Sequence, residues 1–149
     1  MGSNSDYSVM KMAEKILKNL KIEYDTKIIS AHRTPKRMYE FAKSAHKKYK
    51  VIIAGAGGAA HLPGMISSLT NLPVIGVPIE TKSLKGLDSL LSVVQMPKGI
   101  VTATVAINNA MNAGLLAAQI VALLNNEIKK NLERFRVKQT KSIKIKPKK

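Results

Sequence analysis

Two neighbouring residues carry the most chemical potential in this chain of 149 residues. His32 is an imidazole able to take and return a proton near neutral pH, and Arg33 is a permanent cation whose planar fork suits a phosphate or carboxylate. Hydroxyls flank them in the run Ser30-Ala31-His32-Arg33-Thr34-Pro35. A second run, Gly2-Ser3-Asn4-Ser5-Asp6, combines a glycine that allows close backbone approach with serine hydroxyls. It leads into a helix start, whose unpaired N–H groups favour an anion. Taken alone, this run reads as ordinary helix capping by Ser5 or Asp6. The third run, Gly55-Ala56-Gly57-Gly58-Ala59-Ala60-His61-Leu62-Pro63-Gly64, is glycine-rich and brings a second imidazole, His61. His46 stands among Lys43, Lys47 and Lys48 and is expected to be an inert surface group.

The glycine run also admits a different chemistry. Gly55, Gly57 and Ala60 match the spacing of a dinucleotide-binding fingerprint, with Glu80 twenty residues beyond Ala60 at the end of the next expected strand. A phosphate- or dinucleotide-binding module is therefore the alternative reading. Against it, His61-Leu62-Pro63-Gly64 makes a poor opening for the long helix such a site needs, and the chain has no room for a separate substrate domain.

Helical and strand periodicity alternate along the chain, the pattern of a parallel α/β sheet. Val9, Met12, Ala13, Ile16, Leu17 and Leu20 predict a first helix. Residues 23–29 read as a strand and 35–49 as a helix opened by Pro35. Residues 51–54 read as a strand, 62–69 as a helix, 73–77 as a strand and 87–94 as a short helix. The last strand is expected at 100–107, followed by a helix capped by Asn108 or Asn109 and running to Leu124. Ile128, Leu132 and Phe135 predict a final amphipathic helix, and the basic run 141–149 is expected to be a disordered tail beyond a single domain of residues 1–140. In an open sheet of this type, loops following strands gather at the carboxyl edge, so the three polar runs are expected to converge there.

Composition narrows the function classes. A hydrophobic content of 45% fits one compact domain. With no cysteine there is no disulfide, thiolate metal cluster or cysteine nucleophile. Residues 1–7 lack a signal peptide's apolar stretch, and the apolar run 115–124, broken by Gln119, reaches half of the roughly 20 residues a membrane span needs, so a cytoplasmic protein without a membrane partner is expected. The net charge is +16, but the basic excess sits in residues 1–50 and 125–149, on helix faces and the tail, with few aromatics beside it. That distribution fits a solvated surface rather than a nucleic-acid site. Residues 51–79 and 99–126 contain no Asp, Glu, Lys or Arg, and the nearly all-apolar helix within the second run predicts burial on several sides, with a homo-oligomer interface as one cover.

Taken in order and spacing, GSNSD, SAHRTP and AGAGGAAHLPGM resemble the class I N5-carboxyaminoimidazole ribonucleotide mutases of purine biosynthesis. The resemblance continues through residues 86–90, 95–99 and 112–119 and covers the chain to about Thr140. It implies a flavodoxin-like three-layer fold, a homo-octamer, and an isomerase that moves a carboxylate from the exocyclic nitrogen of a ribonucleotide to its imidazole carbon without metal or other cofactor. By resemblance, His32 is the general acid/base; Ser3, Asp6, Ser30 and Arg33 bind substrate; and Gly55, Gly57, Gly58, His61 and Leu62 line the pocket. Family members carry an apolar strand ahead of the GSNSD-like motif, whereas this sequence opens on it. The sheet is therefore expected to lack that first strand, a pattern that a start assigned downstream of the true one would produce. Val101-Thr102-Ala103 replaces the family's usual proline and glycine, a change expected to affect packing rather than chemistry.

Overall fold

The computed structural model describes residues 1–147. Three parallel strands form one sheet: β1 (Ile52–Gly57), β2 (Val74–Ile79) and β3 (Ala103–Thr104), in the order β1-β2-β3. Ile52 pairs with Val74 and Gly57 with Ile79, while β3 meets β2 only at Ile75↔Ala103 and Gly76↔Thr104. β2 is buried along its whole length, as a central parallel strand covered on both faces must be.

Side-chain alternation along the strands divides the core into two layers. On one face, Ile52, Ala54, Ala56 and Val74 pack with Met38 and Ala42 of α2 (Pro35–Ser44), Leu62 and Ile66 of α3 (Leu62–Ser67) and Val93 of α4 (Leu87–Val94). On the other, Ile75, Val77 and Ile79 meet Met10, Ala13 and Leu17 of α1 (Tyr7–Asn19) and Ala110, Ala113 and Ala117 of α5 (Ala110–Ala122). The result is a three-layer α/β/α sandwich. Gly114 lets α5 approach α1, since a Cβ there would collide with Ile16. The final helix α6 (Asn126–Ser142) lays Ile128 and Leu132 against Ile16, Leu20 and Ala118. The all-round apolar helix expected from the sequence is thus covered within its own chain by the sheet, α1 and α6.

Several boundaries differ from the sequence reading. The helix from Pro35 ends at Ser44 and tightens into a 3-10 turn, Ala45–Lys47. β1 extends through Gly55 and Gly57, which had been expected in the loop. The strand expected over 100–107 contracts to two residues: beyond Thr104 the chain keeps only separate bonds to β2, from the Val105 N–H to the Gly76 carbonyl (3.2 Å) and from the Asn108 N–H to the Pro78 carbonyl (2.9 Å), and it turns at Asn108, whose φ is +60°. No strand forms over 23–29: its neighbour in the layer is Met1 alone, whose ammonium donates to the Lys27 carbonyl (3.0 Å) and whose carbonyl accepts from the Ile29 N–H (2.8 Å). A ladder needs a partner along its length, and one residue satisfies only one step. Helix α6 runs through Lys141 and Ser142, the first residues of the expected tail; the end of that tail, Lys148 and Lys149, lies outside the described residues. No helix among the described residues is long and apolar enough to cross a membrane.

Candidate active site

The three polar loops meet beyond the carboxyl end of β1, joined by hydrogen bonds between segments far apart in sequence. In the first, Asn4–Asp6 forms a 3-10 turn capped reciprocally at Ser3. The Ser3 N–H donates to Asp6 Oδ2 (2.9 Å), and Ser3 Oγ accepts from the Ser5 N–H (3.3 Å). Such a capping box uses one oxygen of Asp6 and buries the residue, 7% exposed, while the other lies 3.4 Å from the Ser5 hydroxyl. The Gly2 N–H donates to the Gly55 carbonyl (3.1 Å), which fixes this turn onto β1.

The second loop is held by a closed set of local bonds. The Ser30 N–H donates to Thr34 Oγ1 (2.9 Å), the Thr34 hydroxyl donates to the Ser30 carbonyl (3.0 Å), and Ser30 Oγ accepts from both the backbone N–H and Nε of Arg33. One edge of the Arg33 guanidinium is thereby oriented by Ser30. Its Nη2 donates to the Gly2 carbonyl at 3.2 Å, tying the second loop to the first. The side chain remains exposed, so an incoming anion can reach its free N–H groups.

The third loop begins where β1 ends. Gly58 has φ +67°, a left-handed conformation that glycine adopts without the strain of a side chain. Its N–H donates to Ser89 Oγ (2.8 Å), and the Ser89 hydroxyl donates to the Ile79 carbonyl (2.6 Å). A fully buried serine on α4 therefore clamps the glycine loop to the end of β2. His61 lies just before α3, and its Nδ1 stands 2.9 Å from Nε2 of His32. The rings meet edge to face, with centroids 5.0 Å apart at 80°. Both are exposed, so a substrate can reach the pair.

Of the residues singled out in the sequence, Ser3, Asp6, Ser30, Arg33, His32 and His61 are brought together with the backbone of Gly55, Gly57 and Gly58. Their contributions differ. Gly55 is buried, and a Cβ on it would collide with Met10, so it serves the packing of α1 and offers the site only its carbonyl, already bonded to Gly2. Leu62 is 2% exposed, its side chain turned into the core between β1 and α2 and away from the histidines. Ser89 was not singled out individually from the sequence; the signal there was a hydroxyl in the helical run Leu87-Asp88-Ser89-Leu90-Leu91-Ser92, which does not by itself show that it is buried.

The dinucleotide alternative does not fit this geometry. Its first glycines belong in a tight turn opening a helix, but Gly55 and Gly57 lie inside β1, and α3 starts only at Leu62 and spans six residues. Glu80 is engaged by Asn108, whose Nδ2 donates to its carboxylate (2.9 Å) while Oδ1 accepts its N–H (2.9 Å). No group of three or more His, Cys, Asp or Glu side chains among the described residues is placed to hold a metal ion.

Comparison with known proteins places this arrangement among relatives. The family model described as AIR carboxylase matches residues 1–142. The N5-carboxyaminoimidazole ribonucleotide mutase of Thermotoga maritima is 56% identical over 144 residues, covering 96% of this chain and 84% of that protein. The mutase of the same name from Pyrococcus horikoshii is 62% identical over 136 residues, covering 91% of this chain and 77% of that one. Among solved structures, Treponema denticola PurE superposes with a TM-score of 0.84 at 29% identity, over 95% of this chain and 89% of that chain.

Proposed function

We propose, from the premise that the chain belongs to the AIR carboxylase family, that the meeting point of its three loops is the substrate site of a purine-biosynthesis mutase. The enzyme is an isomerase of flavodoxin-like fold. Its substrate is N5-carboxyaminoimidazole ribonucleotide, and the carboxylate moves from the exocyclic nitrogen to the imidazole carbon.

The observation that supports this most directly is the 2.9 Å approach of His32 and His61 next to an Arg33 already anchored to the first loop. Arg33 and the Ser3 turn bind the phosphate and ribose end, holding the ring at the histidines. The chemistry needs one proton to move twice. As the N–C bond to the carboxylate breaks, CO2 leaves and His32 protonates the nitrogen. The ring carbon then bonds to the CO2, and the same imidazole, now neutral, removes the proton from that carbon. Acid and base are one group, and the proton balance closes. His61 bonds to His32 and orients its ring, one of the two facing nitrogens donating and the other accepting.

The assembly is a homo-octamer located in the cytoplasm. Exposed apolar residues support self-association: Leu87, Leu91 and Val94 form one face of α4, and Leu123 and Leu124, each over four-fifths exposed, stand between α5 and α6. Residues 1–140 form the catalytic domain, and no group in the basic end is matched to the reaction. The test of the site is turnover and binding of N5-carboxyaminoimidazole ribonucleotide by His32→Asn: retained binding with abolished turnover supports the assignment, and unchanged turnover defeats it.

A further inference from the structure

The carboxyl end of β2 leads into a loop, residues 80–86, that the proposed reaction does not use. Both of its ends are fixed. Asn108 holds Glu80 through two hydrogen bonds, and Gly86, with φ +89°, packs so closely on Glu80 and Ile107 that a Cβ on it would collide with the Ile107 side chain. One further bond closes the loop on itself. The Thr81 hydroxyl faces both carboxylate oxygens of Asp88, Oδ1 at 3.0 Å and Oδ2 at 2.9 Å. Asp88 stands in the first turn of α4, where the unpaired N–H groups of a helix start favour its charge, and a hydroxyl donating to a carboxylate bonds more strongly than one donating to a neutral group. No cation among the described residues lies within ion-pair distance of this carboxylate, which leaves Thr81 as its side-chain partner.

Threonine is branched at Cβ, so a single torsion places its hydroxyl and its methyl together. With the hydroxyl turned to Asp88, the methyl Cγ2 is turned to the glycine loop. It stands 3.7 Å from where a Cβ on Gly57 would lie and 3.9 Å from the same point on Gly58. Among the described residues, and chain neighbours aside, no other heavy atom comes within 4 Å of that point on Gly58. Gly57 is exposed, and the chain runs from it directly to His61. The Gly58 carbonyl accepts from the Ala60 N–H (2.8 Å) and the Ala59 carbonyl from the His61 N–H (2.8 Å). Two overlapping tight turns therefore carry the orientation of Gly58 forward to His61, 2.9 Å from His32. The same helix reaches Gly58 again through Ser92, whose hydroxyl donates to the Asp88 carbonyl (2.8 Å) and lies 3.4 Å from the Gly58 carbonyl.

We propose, on the basis of the mutase reading above, that Asp88 is a positioning residue for the reaction: by fixing the rotamer of Thr81 it sets a methyl group against Gly57 and Gly58, and so holds the glycine loop and His61 where the substrate meets them. Asp88 acts through Thr81 and takes no part in the proton transfer. Ser89 fixes the Gly58 N–H, whereas the Thr81 methyl supports the face of the loop on which a side chain would stand. Without the bond to Asp88, the Thr81 side chain is free to rotate, and its methyl leaves that face in the other staggered rotamers.

The test measures steady-state turnover of N5-carboxyaminoimidazole ribonucleotide by four variants of the full chain. Asp88→Ala should raise KM about tenfold, the loss expected for one charged hydrogen bond, and lower kcat by less, as a displaced binding surface does and a lost acid or base does not. Asparagine keeps an oxygen for the Thr81 hydroxyl, so Asp88→Asn should stay within about threefold of wild type. Thr81→Ser keeps the hydroxyl and its bond but removes the methyl, and should show the same rise in KM as Asp88→Ala. In Asp88→Ala/Thr81→Val, valine carries a methyl in place of the hydroxyl, so more of its staggered rotamers turn a methyl to the glycines, and KM should recover most of the loss with no bond to residue 88. Methyl-selective NMR reads the positioning independently of activity: the contact between the Thr81 methyl and the Cα protons of Gly57 and Gly58 should weaken in Asp88→Ala and persist in Asp88→Asn. An unchanged KM in Asp88→Ala or Thr81→Ser, no recovery in the double variant, or a methyl contact indifferent to the loss of Asp88 would each overturn the proposal. A wild-type protein that shows the methyl contact yet does not turn over this ribonucleotide would overturn the reading of function beneath it, and the proposal with it.

Discussion

Nη2 of Arg33 donates a hydrogen bond to the carbonyl of Gly2 at 3.2 Å, across 31 positions of sequence. This bond makes the first two loops one unit. It occupies one N–H of the guanidinium and leaves others free, so the residue both assembles the site and meets an anion in it.

Replacing Arg33 by lysine keeps the charge and removes the fork. Lysine cannot hold Gly2, Ser30 and a phosphate from one planar group, so Arg33→Lys should weaken binding of N5-carboxyaminoimidazole ribonucleotide by about tenfold or more, a loss of one to two charged hydrogen bonds. Calorimetric titration measures it, with Lys36→Ala as the surface control. Equal affinity for wild type and Arg33→Lys would remove Arg33 from the substrate contacts.

Ser89 tests the clamp on the glycine loop. Ser89→Ala leaves the half-buried N–H of Gly58 and the buried carbonyl of Ile79 without their partner, at a cost of about 1–3 kcal/mol in urea denaturation. Because Ser89 acts through the loop rather than on substrate, the same variant should raise KM more than it lowers kcat. Full stability in Ser89→Ala would show that the clamp is not needed to hold Gly58.

The convergence of the three loops was legible in the sequence because each polar run either follows a strand or precedes a helix, and parallel-sheet topology sends such loops to one edge. The role of Ser89 was not, because its bonds to Gly58 and Ile79 span 31 and 10 positions and depend on where α4 packs. The direction of the Leu62 side chain was hidden for a related reason: its place in AAHLPG puts it beside His61, but the helix that starts there turns its side chain into the core. Residues 23–29 had a strand's composition yet formed none, since a strand is completed by its neighbour, and among the described residues Met1 alone pairs with it through backbone bonds.

Asp25 provides a pH test. Hydrogen bonds from Lys48 (2.6 Å) and Tyr49 hold its exposed carboxyl below the ordinary 3.8. A group whose folded pKa is depressed contributes stability above its unfolded pKa and loses it as the pH falls through the folded one. Wild type should therefore lose stability more steeply than Asp25→Asn from just above pH 3.8 downward, by the small amount an exposed pair provides. Parallel acid-unfolding curves for the two proteins would show that Asp25 makes no such contribution.

The account rests on which histidine moves the proton, and single-turnover rates for His32→Asn and His61→Asn on N5-carboxyaminoimidazole ribonucleotide decide it most directly. Asparagine preserves size and some hydrogen bonding but cannot titrate, so His32→Asn should bind substrate and lose turnover by at least about a hundredfold, as removal of a general acid/base does. His61→Asn, which disturbs the orientation of His32 without removing the titrating group, should lose less. Near-normal turnover in His32→Asn together with a dead His61→Asn would contradict the account and move the acid/base role to the glycine-rich loop.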